Sequence, residues 1–319
     1  MMKISYIFPI YNEEETINLL YETVAKVIKP LEKTYAFELL FVNDGSKDSS
    51  LPLLWELAEK DPRVTVVDLS RNFGHQIAVT AGIHEAEGDA LIIMDSDLQD
   101  PPSVSLELIK KWEEGYDVAY AQRRSRKDTA FKKATASLFY QTLQRLADID
   151  IPRNTGDFRL ISRKVADELN RYGEHNRFLR GMVSYVGFKQ VGVEFDRDER
   201  HAGVSKYPLR KMLRLAADGI ISFSSAPLKL ISRIGYTISL FSVIAILYVL
   251  TVRLVFPETV VEGWAFTVIS IFFVGGVQMT MLGVIGSYIG RIYTEVQGRP
   301  LYGISSIRKS TRSVRAKQK

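Results

Sequence analysis

The first 120 residues alternate short apolar runs with longer stretches of mixed character. Ile4-Ser5-Tyr6-Ile7-Phe8-Pro9 reads as a strand closed by Pro9. A helix is predicted from about Asn12 to Lys29, with Asn12 or a neighbour as cap and Glu13, Glu14 and Glu15 favouring the positive end of its dipole. A second strand, Glu38 to Val42, runs into the polar turn Asn43-Asp44-Gly45-Ser46. Helix 48–60, strand Val64–Leu69, helix 76–87 and strand 90–94 follow. Strands alternating with helices of about 10–15 residues predict an α/β fold with a mostly parallel, doubly wound, Rossmann-like sheet. Beyond it the pattern predicts a helix after residue 103, a strand near Asp117–Tyr120, an apolar helical stripe over 129–147, a strand-like Phe158-Arg159-Leu160-Ile161 and a strand at 189–195.

The pattern changes after residue 206. Residues 207–225 mix apolar positions with Arg210, Lys211 and Arg214, as an interfacial helix would. Ile234–Val252 is uncharged for 19 residues and Trp264–Gly290 for 27. Each exceeds the roughly 18 that argue for a transmembrane helix rather than a buried core helix. The expected organisation is a catalytic domain over 1–206, a juxtamembrane helix over 207–228, two transmembrane helices over 229–292 and a basic tail over 293–319. Lys229, Arg233, Arg291, Arg299, Arg308, Lys309 and Arg312 flank the spans on one side, so both termini are expected in the cytoplasm. Arg253 is the dissenting charge and can snorkel outward. Gly275, Gly276, Gly283, Gly286 and Gly290 offer small-residue packing, within the chain or in a homo-oligomer.

Composition adds little to this. The absence of cysteine excludes disulfides, thiolate metal sites and a cysteine nucleophile. The net charge of +5 comes largely from the last thirty residues. Beside apolar segments, such a basic tail suits anionic lipid headgroups better than nucleic acid. Met1–Pro9 lacks the features of a signal peptide, so the first domain is expected to stay cytoplasmic.

The candidate chemistry gathers where strands end. Tyr11 to Glu13, Asp44, Asn72 to His75 and Asp95 to Gln99 each follow a predicted strand. Open α/β sheets bind ligands at that edge, so one shared cleft is expected. Asp95-Ser96-Asp97-Leu98-Gln99-Asp100-Pro101-Pro102 sets two carboxylates at i, i+2 behind a buried strand. Hard oxygen donors there suit Mg²⁺ or Mn²⁺ holding substrate phosphates, against the alternative of an Asp-rich turn. His75 reads as lining or capping a helix start. Asp157 stands in a Gly turn and could pair with Arg159. Arg123, in a basic turn, and Lys132 are candidate anion contacts. Arg200, Ser205, Lys206 and Tyr207 surround a flexible Gly203 as a plausible phosphate clamp, placed where a lipid-borne phosphate would arrive.

Phe8-Pro9-Ile10-Tyr11-Asn12-Glu13, Val42-Asn43-Asp44-Gly45-Ser46 and Asp95-Ser96-Asp97-Leu98-Gln99 resemble the signature of family 2 glycosyltransferases with the GT-A fold. Including its membrane end, the chain resembles the polyprenyl-phosphate glycosyltransferases. The resemblance implies that Pro9, Tyr11, Asn12, Glu13 and Asp44, with Ser46, Gly74 and Asp95 close by, hold a nucleotide sugar. It also implies that Asp95, Asp97 and Gln99 bind the metal ion. Asp157 would lie beside the donor sugar as a catalytic group, a base or a positioning residue. Arg200, Ser205, Lys206 and Tyr207 would meet the acceptor phosphate. The implied reaction is an inverting, metal-dependent transfer of a sugar, glucose from UDP-glucose first, to undecaprenyl phosphate. A processive polysaccharide synthase and a non-catalytic membrane scaffold or flippase component are the alternatives. The first would need more than two spans, and the second would be free to lose Asp95, Asp97, Gln99 and Asp157.

Overall fold

The computed structural model describes residues 1–124, 152, 155–196, 226–255 and 263–309. The predicted stripe over 129–147, the interfacial helix, Lys132 and the clamp of Arg200, Ser205, Lys206 and Tyr207 lie outside the described residues. The chain divides into two compact units.

The first unit is an eight-stranded sheet with helices against it. Its strands are β1 (Lys3–Ile10), β2 (Ala36–Asn43), β3 (Val64–Leu69), β4 (Ala90–Ile93), β5 (Val118–Arg123), β6 (Thr155–Ser162), β7 (Gln190–Phe195) and β8 (Ile304–Lys309). Its helices are α1 (Ile17–Ile28), α2 (Ser50–Lys60), α3 (His75–Glu85), α4 (Val104–Glu113), α5 (Arg163–Arg171) and α6 (Leu179–Val186). The spatial order is β7-β5-β6-β4-β1-β2-β3-β8. Strands β1 to β4 run parallel, as the alternating pattern requires. Strand β6 runs antiparallel to both β4 and β5, and β8 antiparallel to β3.

Strand β1 lies between β4 and β2, and all its residues from Ile4 to Ile10 are buried. Phe8 and Phe41 stack with ring centroids 4.9 Å apart, and the Tyr6 hydroxyl donates to Ser105 Oγ at 2.8 Å. Each fully buried large apolar side chain here contributes about 1.5–3 kcal/mol. Contrary to expectation, Pro9 does not end the strand, because Ile10 still pairs with Asn43. Its missing N–H faces the β4 side, where the ladder stops at Ile7 opposite Ile93, so no hydrogen bond is lost there. Helix α3 lies flat on the sheet at Gly82, where a Cβ would stand 2.3 Å from Ile7 Cγ2.

Three local expectations change. Helix α1 begins at Ile17, so Glu13, Glu14 and Glu15 precede it, and no acidic residue lies in its first turn. Asn12 is not its cap; φ of +55° and bonds to the β2 loop hold it elsewhere. Helices α5 and α6 occupy a stretch for which the pattern predicted no element, although Val165, Ala166 and Leu169 of α5 share one buried face. Residues 304–309, expected within a free basic tail, form β8 and cover the β3 edge. Arg308 stacks over Trp55 at 5.2 Å, and Lys309 Nζ bonds Glu87 Oε1 at 2.6 Å. An unpaired β3 edge would be a template for association, which β8 removes.

The second unit contains α7 (Ala226–Val255) and α8 (Trp264–Val296). Among the described residues one segment, Ile269–Val296, is long and apolar enough to cross a membrane. The two helices enclose an apolar groove of about 570 Å³ lined by Ile231, Ile234, Phe273, Gly276 and Met281 among others. A Cβ on Gly275, Gly276, Gly283, Gly286 or Gly290 would meet nothing within 4 Å, so these glycines do not mediate close helix packing among the described residues.

Candidate active site

The carboxyl ends of β1 to β4 deliver their loops to one edge, and hydrogen bonds between those loops fix their shape. After β1, the Asn12 N–H donates to Ser46 Oγ at 3.0 Å, and Asn12 Oδ1 accepts from Lys47 N at 2.8 Å. The Glu13 N–H donates to Ser50 Oγ at 2.9 Å, and Glu13 Oε2 accepts from Thr16 Oγ1 at 2.9 Å. Tyr11 stays 45% exposed, while Pro9 is buried in the strand. After β2, Asp44 is 2% exposed and accepts from the N–H groups of Phe73 at 2.7 Å and Gly74 at 2.9 Å. Burial pushes its carboxyl above the ordinary value, against the pull of those two donors. Gly45, at φ +64°, allows the approach of the next loop, since a Cβ there would stand 2.5 Å from Arg71 C and Asn72 N. The loops expected to hold a nucleotide are thus bound to one another through Asn12, Ser46, Asp44 and Gly74.

The acidic loop after β4 runs through Leu98 at φ +55°, a conformation that costs a branched residue about 1–3 kcal/mol and is typical of functional sites. Asp97 Oδ1 accepts the Gln99 N–H at 3.2 Å. Among the described residues, Asp95 Oδ1 and Gln99 Oε1 are buried acceptors with no hydrogen-bond partner. Buried orphan acceptors are rare in folded proteins and call for a missing donor or cation. Two such oxygens beside Asp97 fit a hard divalent ion. Asp100 is 3% exposed, and Arg123 Nη2 approaches both its carboxylate oxygens at 3.4 Å. The side chain expected to meet an acceptor phosphate therefore already engages a buried carboxylate.

Antiparallel β6 brings in Asp157. Ile93 pairs with Arg159, so extending that register by two residues sets Asp157 across from Asp95. The Asp157 carboxylate, 6% exposed, is not paired with the Arg159 guanidinium, which instead binds the Asp157 and Gly156 backbone carbonyls. Its partners are Arg180, whose Nε donates to Oδ1 at 2.7 Å, and Gln76 and His75, whose Nε2 atoms lie 3.2 and 3.1 Å from Oδ2. His75 Nε2 also lies 3.6 Å from Asp95 Oδ1. His75 does open α3, as expected, but its ring also joins the acidic cluster. Ligand atoms of His75, Asp95 and Asp157 all fall within 4.8 Å of one another.

The two carboxylates differ in charge balance. Burial opposes ionisation of Asp157, but Arg180 and His75 outweigh it and hold the group well below the usual range. Asp95 shares His75, 3.6 Å from its Oδ1, but among the described residues has no arginine partner like Arg180. Burial, with Asp157, Asp97 and Asp100 nearby, pushes it up to about 6 despite His75. A bound cation would favour the charged form of Asp95, and Asp157 already has its counter-charge. Neither Gln76 nor Arg180 was among the residues singled out from sequence. Their positions gave no motif, and only β6 and α6 bring them to Asp157.

Residues 5–169 match the model of glycosyl transferase family 2. The chain is 52% identical to the glycosyltransferase YkcC of Bacillus subtilis, over 93% of this chain and 92% of that one. It is 42% identical to the SfII prophage-derived bactoprenol glucosyl transferase of Shigella flexneri, over 94% and 97%, and 40% identical to a prophage bactoprenol glucosyl transferase homologue of Escherichia coli, over 97% and 100%. Among solved structures, a mannosyltransferase of Pyrobaculum calidifontis in complex with GDP-Man and Mn²⁺ aligns with TM-score 0.46 and 17% identity, covering 67% of this chain and 60% of that one. The sequence match and the α/β sheet with its strand-end cleft agree that this chain is an enzyme of glycosyl transferase family 2 with a GT-A fold.

Proposed function

We propose that the protein transfers glucose from UDP-glucose to a polyprenyl phosphate, undecaprenyl phosphate, with inversion at the anomeric carbon. The observation that carries this reading is the pair of orphan acceptors, Asp95 Oδ1 and Gln99 Oε1, close to the charge-balanced Asp157 at the carboxyl edge of the sheet. Relatives named as bactoprenol glucosyl transferases over nearly their whole length support the choice of lipid and sugar. A divalent cation bound by Asp95, Asp97 and Gln99 would supply positive charge to the leaving diphosphate. The loops of Tyr11, Asn12, Glu13, Asp44, Ser46 and Gly74 take the nucleoside.

The acceptor phosphate oxygen forms the bond to the anomeric carbon. The bond from that carbon to the diphosphate breaks, and its electron pair leaves with UDP. A phosphate monoester has a second pKa of about 6, so near neutrality the nucleophile is already ionised and no proton must be removed. Asp157, held ionised by Arg180, is a poor proton acceptor and serves to orient a sugar hydroxyl or the acceptor. Lys132, Arg200, Ser205, Lys206 and Tyr207 receive the acceptor phosphate, and Arg123, whose Nη2 stays on Asp100, turns its remaining Nε donor to it. The two apolar helices anchor the enzyme in the cytoplasmic membrane, with the catalytic unit and both termini on the cytoplasmic side.

The test uses detergent-purified full-length protein, labelled UDP-glucose, undecaprenyl phosphate and Mg²⁺, with label followed into the organic phase. EDTA should abolish transfer, and added Mg²⁺ or Mn²⁺ should restore it. Transfer only from a different nucleotide sugar corrects the sugar. Bound nucleotide with no transfer from any donor refutes the reading.

A further inference from the structure

Helix α6 carries Arg180 to Asp157, and its first turn is bonded to one neutral side chain of another helix. The first backbone N–H of α6, on Leu179, donates to Gln76 Oε1 at 3.0 Å. This is one of the N-terminal donors that a helix cannot satisfy internally. The Nε2 of the same Gln76 donates to Asp157 Oδ2 at 3.2 Å. Arg180, the next residue after Leu179, places Nε 2.7 Å from Oδ1 and Nη2 3.4 Å from Oδ2 of the same carboxylate. One amide therefore ties together the start of α3, the start of α6 and the Asp157 carboxylate on β6.

We propose that Gln76 and Arg180 form a positioning clamp that fixes the orientation of the Asp157 carboxylate for glycosyl transfer, Gln76 acting both directly and by holding the helix start that aims Arg180. The amide suits both tasks because it offers an acceptor at one end and a donor at the other. A glutamate at this position could still accept from Leu179 but could not donate to Asp157. The two nitrogens of the guanidinium, one on each carboxylate oxygen, set the plane of the group, which a lysine ammonium cannot do. Neither side chain is assigned to bind substrate, so their loss should act on turnover through Asp157. The clamp rests on the transfer reaction proposed above for its kinetic consequence, but not for its geometry.

The experiment has two arms. In the first, kcat and KM for donor and acceptor are measured for Gln76→Glu, Gln76→Ala, Arg180→Lys and the Gln76→Ala/Arg180→Lys double variant in full-length protein. A misplaced catalytic group can cost on the order of 100-fold, so kcat should fall by about 10- to 100-fold in each single variant, with each KM within about 3-fold of wild type. Because both act through one carboxylate, the double variant should be little worse than the more damaged single. Multiplying losses, or a change confined to KM, would overturn the clamp. The second arm needs no turnover, namely the experimental structure of full-length Gln76→Ala. An Arg180 that keeps both contacts to Asp157 there overturns the proposal, and a displaced Arg180 supports it even if the substrate assignment fails. Inactive wild type with a displaced Arg180 in the variant would thus count against the reaction and not against the clamp.

Discussion

Gly45 offers a direct test of how the nucleotide loops are held. Its φ of +64° is left-handed, and an alanine forced into that region costs about 1–2 kcal/mol. The added Cβ would also stand 2.5 Å from Arg71 C and Asn72 N and 3.0 Å from Arg71 Cα. All three are backbone atoms, so no side chain can rotate away, and overpacking of this kind costs about 1–3 kcal/mol. Together Gly45→Ala should destabilise the sheet unit by about 2–5 kcal/mol. With a urea dependence of about 2 kcal/mol/M, the midpoint should fall by about 1–2.5 M. Gly187→Ala is the control. It is also left-handed, at φ +76°, and its new Cβ would meet only Tyr185 O at 3.8 Å, an ordinary contact, so it carries the backbone strain without the clash. Urea unfolding followed by the fluorescence of Trp55 and Trp112 separates the two. Gly45→Ala should also weaken UDP binding, because the displaced loop supplies the Phe73 and Gly74 N–H groups that hold Asp44. A midpoint loss no greater than that of Gly187→Ala would refute the close approach and the argument built on it.

Two further perturbations test other parts of the fold. Burial opposes ionisation of Asp61, but Arg63 and Tyr21 outweigh it and lower its pKa, so its stabilising effect is present above the unfolded value of about 4 and fades as pH falls through the folded value. Asp61→Asn should therefore cost about 1–2 kcal/mol at pH 7, allowing for the partial exposure of Arg63, and the difference from wild type should shrink below about pH 4 in urea titrations. Ending the chain at residue 300 removes β8 and uncovers the β3 edge, which should appear as concentration-dependent association in light scattering; an unchanged scattering mass would show that β8 does not protect that edge.

Much of the parallel half of this protein was determined by sequence alone. The apolar runs of β1 to β4 and the polar groups behind each fixed the strand-end cleft, because parallel strands buried on both faces must be nearly continuous in hydrophobic residues and must shed polar groups at their ends. Asp95 and Asp157 could likewise be singled out from their sequence contexts, although Gly156 and Asp157, expected in a turn, are strand residues of β6. The juxtaposition of Asp95 and Asp157 could not, since it depends on β6 entering antiparallel, and the residues of Thr155–Ser162 carry no mark of the strand's direction. The same reversal supplied the partners of Asp157. Arg159 looked like its counter-ion from its spacing, yet it turns to backbone carbonyls, and the ion pair comes from Arg180, 23 residues away on α6. His75 was legible as a helix start, but its place between two carboxylates needed β4 and β6 side by side. At the other edge, Ile304–Lys309 looked like part of a charged tail because an edge strand needs no buried face. Only the unpaired backbone of β3 gives that segment a reason to be a strand.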